Sequence, residues 1–204
     1  MSCASQKRVS RSRLPLFTIG HSNHPIERFI ALLRRHGVEV VADVRSRPYS
    51  RFVPHFGKER LARILGDEGL GYLFLGQELG GEPVQDDPPQ ARLDYRARIK
   101  EPAFQQGIET LLDALADRRV ALLCREREPL DCHRLHLICR YLRPMALDIR
   151  HILPDGEVEV QQTTELRLLE RAGRAELPLF QTVAEVESEQ PLARAYDAWW
   201  KRAR

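Results

Sequence analysis

The chain has 204 residues, which suits one domain of ordinary size and leaves little room for two. Hydrophobic residues make up 43% of the chain and charged residues 30%, so a substantial core is expected and wholesale disorder is excluded. The formal net charge of +3 is too small to indicate nucleic-acid binding by itself. No apolar run reaches the roughly 20 residues that a membrane-spanning helix needs, so no membrane partner is expected.

Residues 1–13 are polar and basic, and they predict a flexible arm. This stretch has no apolar segment that would serve as a secretory signal, so we expect a cytoplasmic protein. The chain contains 4 cysteines, and in a reducing compartment we expect thiols and not structural disulfides.

Short apolar runs alternate with helical periodicity along the chain. The apolar runs predict five strands, at 14–19, 38–44, 71–75, 120–124 and 148–153. Apolar residues at helical spacing predict helices at 26–37, 58–68, 102–118 and 132–143, with a further helix at the end of the chain. Ser22 or Asn23 is the expected cap of the first helix, and Asp131 that of the fourth.

Strands that alternate with helices of this length favour βα units and a parallel sheet. We therefore predict a three-layer, Rossmann-like α/β domain over 14–160, with a mainly parallel sheet of about five strands. Residues 82–91 predict a proline-rich acidic connector, and 161–204 predict a helical extension that packs on the domain.

Unusual polar residues follow several of the predicted strands. In a parallel sheet the ligand crevice lies beyond the carboxyl ends of the strands, so these residues are expected to meet there. They are Gly20-His21-Ser22, Asp43-Val44-Arg45, Cys124-Arg125-Glu126 with the following Cys132-His133-Arg134, and His151.

The same residues form an ordered series of short motifs. These are GHS at 20–22, DVR at 43–45 with Pro48 and Ser50, LGG at 79–81, C-x-E at 124–126, CHR at 132–134 and HI at 151–152. In this order they resemble the bacterial family called domain of unknown function 488, over about residues 15–160. The resemblance implies an α/β fold and a shared site, and it implies no particular reaction.

Cys124 and Cys132 are candidate nucleophiles. A thiol at a predicted helix start, close to Arg134 and His133, is favoured as the thiolate. Cysteine phosphatases and sulfurtransferases hold anions in a similar arrangement, but their Cys-x5-Arg spacing is absent because Leu130 stands six residues after Cys124. The alternatives are two thiols that simply fill the core, and a reversible disulfide between them.

A metal site is a further candidate. Cys132, His136 and Cys139 share one face of the predicted helix, and this spacing suits zinc or iron. The strand ends offer more ligands, namely His21, Asp43, Glu126, His133 and His151. His136 and Cys139 also adjoin the apolar stripe of that helix, which favours structural packing, so we assign no metal ligand and no cofactor from the sequence.

His21 and Asp43 are expected at adjoining strand ends, where a carboxylate would orient an imidazole for proton transfer. Ser22 and nearby main-chain N–H groups would hold an oxyanion or a phosphate. The alternative is that Ser22 only caps a helix and that Asp43 forms a local ion pair with Arg45. Glu126 is expected either as a general acid or base, or as a counter-charge for a neighbouring arginine.

The loop at 45–52 interleaves arginines with Tyr49 and Phe52, a pattern that suits phosphates and stacked bases. The leading hypothesis is therefore a small enzyme that acts on an anionic substrate related to nucleotides or nucleic acids. The alternatives are a non-catalytic nucleic-acid-associated module and a metalloprotein with a His, Cys and carboxylate site. The candidate catalytic residues are His21, Asp43, Cys124, Glu126, Cys132 and His133, and the candidate anion-binding residues are Ser22, Arg45 and Arg134.

Overall fold

The computed structural model of the chain describes residues 14–49, 51–81, 94–172 and 189–202. These residues form one β-sheet that is covered by helices on both faces, which is an α/β arrangement. The basic arm expected at 1–13, Ser50 of the DVR motif and the connector expected at 82–91 lie outside the described residues.

The sheet has six strands in the order β3-β2-β4-β1-β5-β6. The strands are β1 Leu16–Gly20, β2 Val40–Asp43, β3 Gly71–Phe74, β4 Val120–Cys124, β5 Ile149–Ile152 and β6 Val158–Val160. The first five are parallel, as predicted, and β6 runs antiparallel to β5 at the edge. The sequence pattern missed β6 because this strand has only 3 residues and none of them is fully buried.

Helices connect and flank the strands. They are α1 Ile26–Arg35, α2 Lys58–Asp67, α3 Gly76–Leu79, α4 Tyr95–Arg98, α5 Pro102–Leu115, α6 Arg140–Leu142, α7 Gln161–Arg171 and α8 Glu189–Arg202. Short 3₁₀ turns lie at Pro54–Phe56, Pro129–Asp131 and Arg143–Met145. The prediction of a three-layer Rossmann-like domain is thus confirmed.

Two apolar cores lie on opposite faces of the sheet, because successive strand residues point to opposite sides. Helices α1 and α2 cover one face, where Phe29 and Leu61 are fully buried. Helices α5, α7 and α8 cover the other, with Leu111 and Tyr196 in its core. No helix in the described part of the chain has the length and apolarity to cross a membrane.

The segment after β4 departs from the predicted regular helix. A π-helix at Arg134–Cys139 leads directly into α6, and Cys132 before it is extended, with φ −126° and ψ 140°. The expectation that Asp131 caps this helix is wrong: His133 is the residue before the helix, no side chain caps it, and the Asp131 carboxylate pairs with Arg171 at 2.6 Å. π-Helical turns are rare and often occur at functional sites.

The start of α1 also differs from the prediction. Pro25 is the residue before the helix, and neither Ser22 nor Asn23 bonds its first turn through a side chain. Instead, the Ser22 hydroxyl donates to the Asn23 side-chain oxygen at 3.2 Å.

Candidate active site

The register of the sheet brings three strand ends together. Gly20 at the end of β1 lies opposite Cys124 of β4, and Asp43 at the end of β2 lies opposite Leu123. The chain therefore leaves β1, β2 and β4 at one edge, where a cleft of about 360 Å³ opens. Its lining includes His21, Arg45, Arg47, Tyr49, Gly81, Cys124, Arg125, Glu126, Asp131, His133 and Trp199.

Four reactive side chains contact one another here, and we call them the thiol cluster: Cys124, Glu126, Cys132 and His133. Three of them line the cleft, and Cys132 is fully buried behind them. The Cys124 Sγ atom lies 2.8 Å from Oε2 of Glu126 and 3.5 Å from Nδ1 of His133. The Cys132 Sγ atom lies 3.2 Å from the same carboxylate oxygen and 4.0 Å from the same ring nitrogen. All four ligand atoms lie within 4.8 Å of one another.

Main-chain contacts orient the thiol cluster. Nε2 of His133 lies 3.1 Å from the carbonyl oxygen of Val44, the residue after β2, so Nδ1 faces the two sulfur atoms. The main-chain N–H of Arg134 donates to the Cys132 sulfur at 3.4 Å.

Arg134 is completely buried behind the thiol cluster. Its guanidinium donates to the carbonyl oxygens of Glu126 at 2.7 Å and Arg127 at 3.3 Å, and Nε has no hydrogen-bond partner among the described residues. Among those residues, no carboxylate pairs with this guanidinium. A buried cation needs nearby negative charge, and the thiol cluster is where such charge can reside.

The same contacts shift the pKa values of the cluster. Burial raises the pKa of Cys124, but a hydrogen bond with Cys132 and the charges of His133 and Arg134 outweigh it and hold this pKa well below its ordinary value. Burial and the neighbouring Cys124 raise the pKa of Cys132. Burial lowers the pKa of His133, but Cys124 and Glu126 outweigh it, and the net shift is upward. These shifts favour the thiolate form of Cys124 and the protonated form of His133.

Gly20 of the GHS motif permits the close approach of the loop after β4. A Cβ atom at this position would lie 1.9 Å from the carbonyl oxygen of Glu126 and 3.1 Å from Nη1 of Arg134. Any larger residue would push away the loop that carries the Glu126 carboxylate. The glycine of this motif thus leaves room for the loop that follows the neighbouring strand β4.

His21 lies beside the thiol cluster in the cleft wall. Its Nδ1 lies 2.7 Å from the carbonyl oxygen of Ser22, and its ring stacks on Phe56 at 4.3 Å between centroids. Burial, with a smaller contribution from the charge of Arg45, lowers the pKa of His21 to about 4. The described contacts include no hydrogen bond between His21 and Asp43, so the expected oriented pair does not form in this structure.

Asp43 and Arg45 form a buried ion pair. Nη2 of Arg45 lies 2.6 Å from Oδ2 of Asp43, and Nε lies 2.8 Å from Oδ1. The Tyr72 hydroxyl donates to the same carboxylate at 2.7 Å. Arg45 therefore enters the cleft wall with its charge largely compensated, and Asp43 does not reach the cleft lining. Nothing in the sequence pattern indicated the contribution of Tyr72.

Ser22 adopts a left-handed backbone conformation, with φ 48°, and it does not line the cleft. The main-chain N–H groups of His21 and Ser22 donate to the carbonyl oxygens of Cys124 and Arg125, at 2.9 and 3.0 Å. These N–H groups are therefore occupied, and the oxyanion site expected at this turn is not formed.

Three other candidate residues lie apart from the cleft. His151 pairs with Thr18 inside the sheet, and its Nδ1 lies 2.8 Å from the Thr18 hydroxyl. The Nε2 atom of His136 lies 2.8 Å from the carbonyl oxygen of Leu130, and Cys139 is buried in the apolar core. The helical face of Cys132, His136 and Cys139 is therefore not a ligand set, because only Cys132 reaches the thiol cluster.

The cleft rim carries both aromatic and basic groups. Tyr49 is 76% exposed, and the Arg125 side chain is 74% exposed and lies 3.5 Å from Glu126. Trp199 of α8 closes another side of the cleft. The sequence predicts that this terminal helix packs on the domain, but it does not predict that Trp199 lines the cleft, because that depends on how α8 docks some 75 residues after β4.

The thiol cluster combines two sulfur atoms, a carboxylate and an imidazole beside open solvent. Such groups transfer protons, attack electrophilic centres or bind a metal ion. The predicted resemblance to the family called domain of unknown function 488 is confirmed for residues 25–141. No curated protein and no solved structure matches the chain. Residues 25–141, more than half of the chain, match the family model described as Domain of unknown function DUF488, and the chain belongs to that family.

Proposed function

We propose that this protein is an enzyme that acts on a nucleotide-type anion in the cleft, with the thiol cluster as its reaction centre. The observation that carries the proposal is the position of the cluster. A carboxylate, an imidazole and one thiol line the floor of an open cleft, and they contact a second, buried thiol directly behind it.

The cost of such an arrangement supports a catalytic role. Burying polar groups opposes folding unless they are fully paired, and clusters with shifted pKa values concentrate at functional sites. Cys124 is 2% exposed and Cys132 is fully buried, yet both face a carboxylate and not apolar side chains alone. A purely structural role would be met more simply by apolar residues.

The rim of the cleft supports a phosphate-bearing substrate. The exposed guanidinium of Arg125 lies next to Glu126 and can donate paired hydrogen bonds to phosphate oxygens. Arg45 adds a second guanidinium to the wall, although Asp43 compensates most of its charge. Arg134 is fully buried beneath the cleft and does not contact the substrate. Its positive charge favours the anionic forms of the thiol cluster.

Tyr49 supports a substrate that also carries a ring. A tyrosine left three-quarters exposed at a cleft edge offers a flat surface on which a base stacks. The cleft volume of about 360 Å³ falls in the range of sites for small molecules. Together, Arg125 and Tyr49 favour a mononucleotide-sized ligand.

Calorimetric titration tests the binding half of the proposal, with AMP, GMP, adenosine and inorganic phosphate as probes. We expect the monophosphates to bind, and Tyr49→Ala and Arg125→Ala each to weaken binding about tenfold. Phe52→Ala and Arg63→Ala are matched controls, because Phe52 is 97% exposed outside the cleft lining and Arg63 is exposed on α2. Absence of nucleotide binding, or equal effects of Tyr49→Ala and Phe52→Ala, would overturn the proposal.

Product analysis tests the catalytic half. Nucleoside mono-, di- and triphosphates are incubated with the protein and separated by chromatography. Glu126→Gln and Cys132→Ala should each abolish turnover while the circular dichroism spectrum stays unchanged. Full activity in both variants would remove the thiol cluster from the mechanism. Nucleotide binding without any turnover would instead establish the alternative, a non-catalytic binding module.

A further inference from the structure

We infer that the thiol cluster binds one divalent transition-metal ion, with zinc as the best match, through Cys124, Cys132, His133 and Glu126. This inference deepens the proposed function, because it names a cofactor for the same site. Two thiolates, an imidazole and a carboxylate are a donor set that zinc accepts. The predicted helical ligand face is replaced by ligands from the end of β4 and the turn before the π-helix.

The donor atoms lie near the spacing of tetrahedral coordination, with deviations of up to about 0.5 Å. Zinc bonds of about 2.0–2.3 Å place tetrahedral ligand atoms roughly 3.3–3.8 Å apart. The Cys132 sulfur lies 3.2 Å from the carboxylate oxygen and 4.0 Å from the imidazole nitrogen, and the Cys124 sulfur lies 3.5 Å from that nitrogen. The Cys124–Glu126 distance of 2.8 Å is shorter, and a bound ion would widen it.

The surroundings of the donors also match a metal site. Metal-binding histidines almost always give their second ring nitrogen to a carbonyl or carboxylate, and Nε2 of His133 lies 3.1 Å from the carbonyl oxygen of Val44. This contact turns Nδ1 towards both sulfur atoms. The N–H of Arg134 donates to the Cys132 sulfur, which stabilises a thiolate in that position.

With both thiols ionised and His133 neutral, as metal ligation requires, the charges of the centre balance when a divalent cation is counted. Two thiolates and the Glu126 carboxylate carry three negative charges, and the buried guanidinium of Arg134 supplies one positive charge. A divalent ion supplies the other two, so the buried centre becomes neutral. Neutrality matters because uncompensated charge in the interior is costly. The structure assigns Arg134 as the permanent counter-charge of this centre.

The position of the site gives the ion a role in the proposed reaction. Glu126 keeps 29% of its side-chain surface exposed, and both Glu126 and Cys124 line the cleft. A carboxylate at the solvent side can yield its place to a phosphate oxygen or a water molecule. The ion would then act as a Lewis acid towards the anion held by Arg125.

Elemental analysis of protein purified without a histidine tag tests the inference directly. We expect about one zinc or iron ion per chain, and almost none in Cys132→Ala. Cys139→Ala is the matched control, because this cysteine is equally buried but lies outside the cluster, and its metal content should remain that of the wild type. Equal metal content in Cys132→Ala and the wild type would overturn the inference.

Cobalt substitution provides a readout that does not depend on the folding of any variant. Wild-type protein is stripped with a chelator and titrated with Co²⁺. We expect thiolate-to-cobalt charge-transfer bands in the near ultraviolet and the visible bands of a tetrahedral ion, saturating at about one equivalent. A featureless spectrum, with no metal in the purified protein, would exclude the site.

The two proposals fail separately. If metal binds and no nucleotide does, the cofactor inference stands and the proposed substrate falls. If nucleotides bind and are converted by metal-free protein, the proposed function stands and the metal inference falls. Thermal unfolding adds a check, since chelation should lower the melting temperature of the wild type and leave that of Cys132→Ala unchanged.

Discussion

Gly81 lies so close to His133 that a Cβ atom at this position would stand 2.7 Å from Cγ of the imidazole ring. The LGG motif therefore shapes the site without supplying any reactive group. Its last glycine allows the chain to pass over His133 while Val44 holds the other side of that ring.

Gly81→Ala is expected to displace the His133 ring from the thiols. Metal affinity should fall about 10- to 100-fold, as it does when ligand orientation is disturbed, and turnover should be lost with it. Cobalt titration and product analysis measure the two effects. Gly66→Ala is the control, because its added Cβ meets nothing within 4 Å beyond its chain neighbours and its own helix backbone. This substitution should raise the free energy of unfolding by up to about 1 kcal/mol. Normal metal affinity in Gly81→Ala would show that the ring position does not matter.

Asp43→Asn should destabilise the fold by about 3 kcal/mol, because it leaves the buried guanidinium of Arg45 without its counter-charge. The Tyr72 hydroxyl also loses an ionised acceptor. Urea unfolding measures the change. Glu157→Gln is the control, since its pair with Arg35 is at least half exposed on both sides and should change stability by less than about 1 kcal/mol. Similar small losses in both variants would mean that the Asp43 pair contributes no more than a surface pair.

His151 makes the fold sensitive to acid. Burial lowers its pKa from 6.5 to about 4, so the folded protein holds the ring neutral while the unfolded chain protonates near pH 6.5. Stability from this residue is therefore complete above about pH 6.5 and declines as the pH falls towards 4, by roughly 3 kcal/mol in total. The ring contacts Thr18 and Gln161, and the charges of Arg134, Glu128 and Arg167 also act on its pKa.

Replacing this histidine should flatten the pH dependence. In His151→Gln, the slope of unfolding free energy against pH between 4 and 6.5 should decrease by up to about 1.4 kcal/mol per pH unit. Urea unfolding at several pH values measures the slope. Ile149→Val on the same strand controls for destabilisation without titration, and its curve should shift at constant slope. An unchanged slope in His151→Gln would contradict a neutral buried ring.

Much of the fold could be predicted because apolar periodicity reports burial. The five parallel strands and the helices at 26–35, 58–67 and 102–115 follow directly from that pattern. The wrong predictions concern helix caps, where a rule based on residue type competed with tertiary contacts. Asp131 looks like a helix cap but pairs with Arg171, and Ser22 looks like a cap but lies in a left-handed turn.

The sequence predicted which residues form the thiol cluster, but it did not predict which other candidate residues face the cleft. Cys124, Glu126, Cys132 and His133 all belong to motifs that follow one strand, so their proximity follows from that strand end. His151 satisfies the same sequence criteria, yet it points into the interior beside Thr18. Residues one position apart on a strand face opposite sides, so the sequence alone does not distinguish a cleft residue from a core residue.

The residue types and the apolar periodicity were enough to predict the candidate side chains and the parallel strands at whose ends most of them lie. The folded arrangement was needed to show that Arg134 lies beneath the cluster as a buried charge, that Asp43 neutralises Arg45, and that Trp199 lines the cleft from α8. The physical reason is that periodicity encodes burial along the chain, whereas partners across the fold depend on strand order and register, which are set by packing between distant segments.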